Sequence, residues 1–548
     1  MATQRIVFTE WLPDQPSSVN ALVDAKNVMP NQVGYKPFPT AQNYGSASGE
    51  DLIATVSGKF DDVTQLFSGS ATKLYQYNGV NHINVSKSSR IISNIERTSN
   101  VVTITTTTAH GYSVSDSVTV GAITNTGING TFTVASVPST TTFTYAQVGA
   151  DIASVADSGR VYRDTYNASQ WRFTQFGPNV LAVDNNSKVQ YWEVNQSVSF
   201  EDASADAPVA KYITTVRDFV VTAHVGGVAN KVQWSDINDF TNWTSGSASQ
   251  ADFQLLPDGN TIQGITGGEI GLVFLEKAII RMSYSGSPLF FQLDTISRGL
   301  GCIEGNSIAQ YGATSFFLSD DGFYKCDGQT VTGIGTEKVD RYFYKDADLT
   351  DLDSMSASVD PIKKLVVWNY KNVDGGRGIL VYNWQLNKWS RVETLTTGVG
   401  SITTTGYTLE GLEAVLGYTN LETIPASLDD RLWVGGKFLF AGFTNTKIVT
   451  FTGSNYNSEL ITPDMEVGYN SVATLVRPQI DNGSADIKVA SRRELDDNIQ
   501  FGSSVTTSQE GRASIRSAGR YHRFSISPTG NWTNATSIDV DFKQQGNR

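Results

Sequence analysis

The chain has 548 residues, 17% of them charged, with 49 glycines and a formal net charge of −13. That length allows several domains and a large core. The acidic balance argues against a protein that wraps nucleic acid by neutralising phosphates.

Residues 1–50 hold Pro13, Pro16, Pro30, Pro37 and Pro39 and show little periodicity. They read as an extended arm lying across a surface, its own or a neighbour's. Met1–Arg5 opens no long apolar stretch, so no signal peptide is expected. Nowhere do about 18 apolar residues run together, so no membrane-spanning segment is expected either. Hairpin texture begins at 51: Lys73-Leu74-Tyr75-Gln76-Tyr77 runs into an Asn78-Gly79 turn. We assign 51–88 to the first part of a propeller. From 89 to 161 the texture changes to Thr, Ser and Val, with strict alternation at Val101-Val102-Thr103-Ile104-Thr105. This stretch reads as a small β domain inserted into the first blade, with its two ends close together.

Aromatic hairpins resume over 162–460. Trp171-Arg172-Phe173-Thr174-Gln175-Phe176-Gly177 leads to Asn179-Val180-Leu181-Ala182-Val183. Later units turn at Gly226-Gly227 and Gly267-Gly268. Ser315-Phe316-Phe317-Leu318 and Phe323-Tyr324-Lys325-Cys326 flank Asp320-Asp321-Gly322, and Leu365–Tyr370 and Ile379–Asn383 flank Asp374-Gly375-Gly376. A last unit is read at Arg431–Gly436 and Phe438–Phe443. Units recurring every roughly 40 to 50 residues predict an all-β chain built on a β-propeller of about six blades. Residues 461–548, with strands at Ile487–Arg493 and Tyr521–Ile526, read as a C-terminal β domain.

No P-loop, dinucleotide fingerprint, GxSxG or paired-histidine zinc motif is present. No enzyme activity and no cofactor are therefore expected. Cys302 and Cys326 read as small buried hydrophobes, and His82, His110, His224 and His522 have no metal-ligand spacing. Ser319-Asp320-Asp321-Gly322 loosely resembles the Asp-box turns of sialidase-type propellers, but its plain reading is a hairpin turn. One basic cluster stands out in the acidic chain: Arg512, Arg516, Arg520 and Arg523. It reads either as a partner-interface or DNA-facing contact, or as a solvated strand face paired with local acids such as Glu510.

Several of these stretches together resemble the nozzle or hub proteins of short-tailed bacteriophages, also called packaged-DNA stabilisation proteins. They are Ser319–Tyr324, Gly333–Phe343, Trp171–Gly177, Val381-Tyr382-Asn383 with Lys388-Trp389-Ser390, and Gly519–Arg523. The resemblance covers roughly 1–85 and 165–548. It implies a virion protein that forms a homohexameric ring below the portal and adaptor. Such a ring would contact adaptor-side proteins and tail fibres or a needle, continue the channel for double-stranded DNA, and hold the genome until ejection. A carbohydrate-binding or glycan-cleaving propeller is the alternative, resting on surface aromatics and the Asp turn. A generic interaction scaffold is a further one.

Overall fold

The computed structural model describes residues 2–16, 19–60, 63–163, 165–257, 260–404 and 436–545. The unit read at Arg431–Gly435 lies outside the described residues. Among the described residues the chain is nearly all β, with one α-helix, Asp340–Asp346. Six free-standing four-stranded sheets form propeller blades at 52–84, 172–202, 210–255, 262–298, 309–333 and 398–455. A further four-stranded meander at 356–394 stands in the same ring but also belongs to a larger sheet. The expected count of about six matches the free-standing blades. The shared meander takes the remaining place between 309–333 and 398–455.

The turns fall where the sequence put them. Leu318 pairs with Phe323 across Asp321-Gly322, Val225 with Val228 across Gly226-Gly227, and Lys371 with Arg377 across the Asp374-Gly375-Gly376 turn. Gly226 and Gly227 both have positive φ, which glycine adopts without a Cβ clash.

Hydrogen bonds stitch the ring blade to blade. Gln175 Nε2 donates to the Lys59 carbonyl (3.3 Å), Thr174 and Thr215 hydroxyls meet at 2.9 Å, and the Arg217 amide donates to the Gly268 carbonyl (2.8 Å). Thr266 and Ser315 hydroxyls meet at 3.1 Å, and Asn306 Nδ2 donates to the Asp353 carbonyl (2.7 Å). The Val399 amide donates to Ser356 Oγ (2.9 Å), and the Thr403 amide to Ser57 Oγ (2.7 Å), which returns to the first blade. Closure also uses the two ends of the propeller chain: the arm strand Pro39–Asn43 is the outer strand of the 398–455 blade, paired with Lys447–Asn455.

Three buried tryptophans between elements keep their N–H groups bonded. Trp171 donates to the Ser70 carbonyl (2.8 Å), Trp368 to Ser307 (2.8 Å) and Trp389 to Ile334 (3.0 Å). The rings of Phe323, Trp368 and Trp389 lie 4.7–5.6 Å apart. Trp389 is fully buried, and Trp384 packs half-buried on Tyr311.

Two regions differ from the sequence reading. The Thr-rich domain is an eight-stranded sheet spanning 90–162 around its own core of Ile95, Ile104, Phe143 and Tyr145. Its ends do meet, with Arg90 paired to Val161. It does not interrupt the first blade, however, whose fourth strand, His82–Asn84, is complete before it begins. It occupies the outer connection to the next blade, where added chain breaks no ladder bond. The arm takes the first of its two expected courses and lies across the chain's own surface: Ile6, Phe8, Trp11, Leu22, Ala25, Val28, Tyr35 and Phe38 are buried on the chain itself. Ala2–Val7 pairs with Asn534–Gln544, and Asp24–Lys26 bridges Glu459–Ile461 to the shared meander. The C-terminal strands are thus no separate small domain. They join the arm and the meander in a fourteen-stranded sheet over the largest core. Arg391 clamps the junction, donating twice to Asp24 at 2.7 Å. Burial opposes the Arg391 charge, but Asp24 outweighs it and raises its pKa.

Candidate functional site

Five first strands, Leu52–Phe60, Arg172–Phe176, Ala309–Tyr311, Ser356–Asp360 and Gly398–Thr403, contribute to the wall of a cavity of about 640 Å³, the size of a small-molecule site. Two arginines lie in its wall. Arg172, on the inner strand of its blade, donates from Nη2 to Asn306 Oδ1 (2.5 Å), and its guanidinium sits 5.8 Å from the Tyr212 ring. Arg377 reaches from the shared meander and donates to the Ser354 carbonyl (3.1 Å) and Asn369 Oδ1 (2.9 Å). Asn306 in turn donates to Asp353, the neighbour of Ser354, so a short chain of hydrogen bonds ties the two guanidiniums to one part of the wall. Burial lowers the pKa of both. Neither has a carboxylate within ion-pair distance among the described residues. The charge of Glu304 acts on Arg172, and that of Asp351 on Arg377, each against the effect of burial. The Glu304 carboxylate accepts the Asn306 amide (2.8 Å), and burial raises its pKa. Asp51 and Asp353 are exposed at the cavity's edge, and Asp351 is held by Lys371 at 2.7 Å. In the sequence Arg172 is one residue of the blade stretch Trp171–Gly177 with nothing to mark a role, and no functional motif surrounds Arg377.

The C-terminal arginines do not act as one group. Strand Ala513–Thr529 alternates faces, which puts Arg516 and Arg520 on one side and Arg523 on the other. Arg512, just before the strand, is exposed and pairs with Glu510, the acid the sequence named. Arg520 is exposed and donates from Nε to Glu466 (2.9 Å). Arg516 is exposed and has no ion pair among the described residues. Arg523 is buried. With Arg492 it encloses the buried Asp464 carboxylate, each guanidinium within 2.5 Å. Its place at a partner interface or facing DNA is therefore corrected to a place in the core.

The acidic turn is also consumed within the chain. Asp320 pairs with Lys277, and Asp321 accepts from the Tyr324 hydroxyl at 2.8 Å. Both aspartates thus support the hairpin reading. Behind the turn, buried Asp340 accepts from the Phe323 amide (3.0 Å), and burial pushes its pKa up to about 7. Cys302 and Cys326 are free and buried, and burial pushes the Cys302 thiol up to about 12. His522 is fully buried between Ser471 (2.8 Å to Nε2) and Ser491 (2.7 Å to Nδ1), and burial drops its pKa to about 4. Among the described residues, no helix is long and apolar enough to cross a membrane.

No family model and no curated protein matches this chain. Solved structures resemble it at low identity. The computationally designed Ika8 protein has 10% identity and a TM-score of 0.32, covering 75% of this chain and 99% of that one. BamB from Moraxella catarrhalis has 10% identity and a TM-score of 0.28, covering 82% and 97%. The WD40 domain of Neurospora crassa Pan2 has 8% identity and a TM-score of 0.30, covering 78% and 98%.

Proposed function

We propose that this chain is a structural virion protein, the tail nozzle or hub of a short-tailed bacteriophage. In this reading six copies form a ring below the portal and adaptor, extend the DNA channel, retain the genome and release it on infection. One observation carries the reading beyond the motifs themselves. Phe323, Val339, Phe343, Tyr382 and Trp389, drawn from separate stretches that resemble the family, meet in a single core with the arm residue Trp11 and the C-terminal Phe524. The resembling stretches thus specify one architecture, a propeller braced by both chain ends. The propeller's own cavity, at about 640 Å³, suits a small molecule, so DNA would pass through a lumen between copies. The net charge of −13 suits a lumen that a polyanion must slide past, because a continuous basic lining would hold DNA by counterion release. Subunit stoichiometry in the assembled tail tests the reading. Six copies are expected. Another number would refute the hexamer, and absence of the chain from purified virions would refute the assignment.

A further inference from the structure

A buried ionisable side chain has three ways to exist: pair with an opposite charge, give up its charge, or meet a charge from outside. Arg523 and Arg492 take the first course with Asp464. His522 and Asp340 take the second. Arg172 and Arg377, half-buried in the cavity wall, take neither. Arginine keeps its proton in proteins, and no carboxylate lies within ion-pair distance of either among the described residues. Arg172 Nε, the Gln170 amide nitrogen and the Thr55 hydroxyl are buried with no hydrogen-bond partner, and all three side chains line the same cavity. All three atoms can donate. A wall that carries two guanidiniums without an ion pair among the described residues and three unsatisfied donors is complementary to an acceptor-rich anion.

We propose that the propeller cavity is a binding site for a small oxyanion, a phosphate or carboxylate group held between Arg172 and Arg377. Each guanidinium already spends one edge on protein acceptors, Asn306 for Arg172 and Asn369 with Ser354 for Arg377, which fixes its orientation. The remaining donors are left for the ligand. The exposed Asp51 and Asp353 at the edge would repel large polyanions, which favours a small ligand over nucleic acid.

The test titrates the purified full chain with sodium phosphate, with sodium citrate, and with sodium chloride at matched ionic strength. Heat of binding and thermal midpoint are both read. Saturable heat and a rising midpoint with phosphate or citrate, and not with chloride, are expected, and the better of the two identifies the source of the oxyanion. Arg172→Gln and Arg377→Gln should each weaken binding about tenfold or more, as loss of a charge-assisted hydrogen bond predicts. If Arg172→Gln fails to fold, Arg377→Gln and Arg172→Lys carry the comparison. Equal shifts with chloride, absence of saturable binding of either anion, or wild-type affinity in Arg377→Gln would overturn the proposal. None of these outcomes depends on the chain's place in a phage tail.

Discussion

Two pairs of arginines, one in the C-terminal sheet and one in the cavity wall, are built oppositely. In the C-terminal sheet, Arg492 and Arg523 share Asp464, whose side chain is only 2% exposed. In the propeller cavity, Arg172 and Arg377 have amide and carbonyl oxygens but no carboxylate in reach among the described residues. The first pair is closed and serves the fold. The second leaves positive charge open toward a cavity. The same residue type therefore marks structure or recognition according to what neutralises it.

Removing the shared carboxylate should break the first site hardest. Asp464→Ala leaves two guanidiniums buried without a counter-charge, and a loss of about 3–5 kcal/mol is expected. Urea unfolding of the full chain, followed by tryptophan fluorescence, reads it. Replacing Asp464, Arg492 and Arg523 together by Leu, Met and Met should recover most of that loss, since the desolvation cost goes with the charges. If Asp464→Ala is neutral, the arginines are solvated there and the contrast with the cavity disappears.

Groups that give up their charge sharpen the contrast through pH. Asp340 has a folded pKa of about 7 against an ordinary 3.8. Its contribution is present in full below about 3.8 and is lost as pH rises to about 7. His522 has a folded pKa of about 4 against 6.5. Its contribution is present above 6.5 and is lost as pH falls toward 4. The two run in opposite directions, each by up to a few kcal/mol. Asp340→Asn should therefore gain stability relative to wild type at pH 8 and lose that advantage at pH 4.5. His522→Gln should flatten the acid side of the profile. Parallel profiles for wild type and both variants would show that neither group is held neutral.

Much of the ring was legible because its signals are local. A Gly-Gly or Asp-Gly turn between apolar runs fixes a hairpin within about ten residues, and the propeller is a chain of such hairpins. The Thr-rich domain was legible by composition, and its observed strands, 90–162, lie within a residue of the expected 89–161. The arm's destination was not legible, because the pairing of Ala2 with Phe542 joins opposite ends of the chain and leaves no local trace. The short helix Asp340–Asp346 has too few turns for an apolar period to show, and it is held by Phe343 packing on Phe323 and Tyr370. The cavity arginines come from distant blades, so no spacing could pair them. The C-terminal cluster was different. Strand parity alone separates Arg523 from Arg516 and Arg520, and a period-two reading of Gly519–Arg523 could have found it.

The smallest expected effect on stability belongs to the exposed side of that strand, and it is where the proposed assembly can be examined most cleanly. Arg512 and Arg520 each have one surface acid, Glu510 and Glu466, and Arg516 has none among the described residues. Exposed pairs of this kind contribute about 0–1 kcal/mol, and substitution of an exposed unpaired charge changes stability by less than about 0.5 kcal/mol. Arg516→Glu should therefore leave the thermal midpoint of the free chain unchanged, so any effect in the particle reports on contact and not on folding. If this face docks against an acidic partner, the reversal should reduce incorporation into tails, more strongly at low salt, because rim charges act through long-range complementarity that salt screens. If the face lines the DNA path, assembly should be normal and ejection altered. If it is solvated in the particle, neither readout moves. Arg523→Glu should instead unfold the C-terminal sheet in the free chain, because it would set a second carboxylate against buried Asp464. The expected result is reduced incorporation for Arg516→Glu with an unchanged midpoint. Unchanged incorporation would remove this strand from the interface while leaving the core around Asp464 as argued.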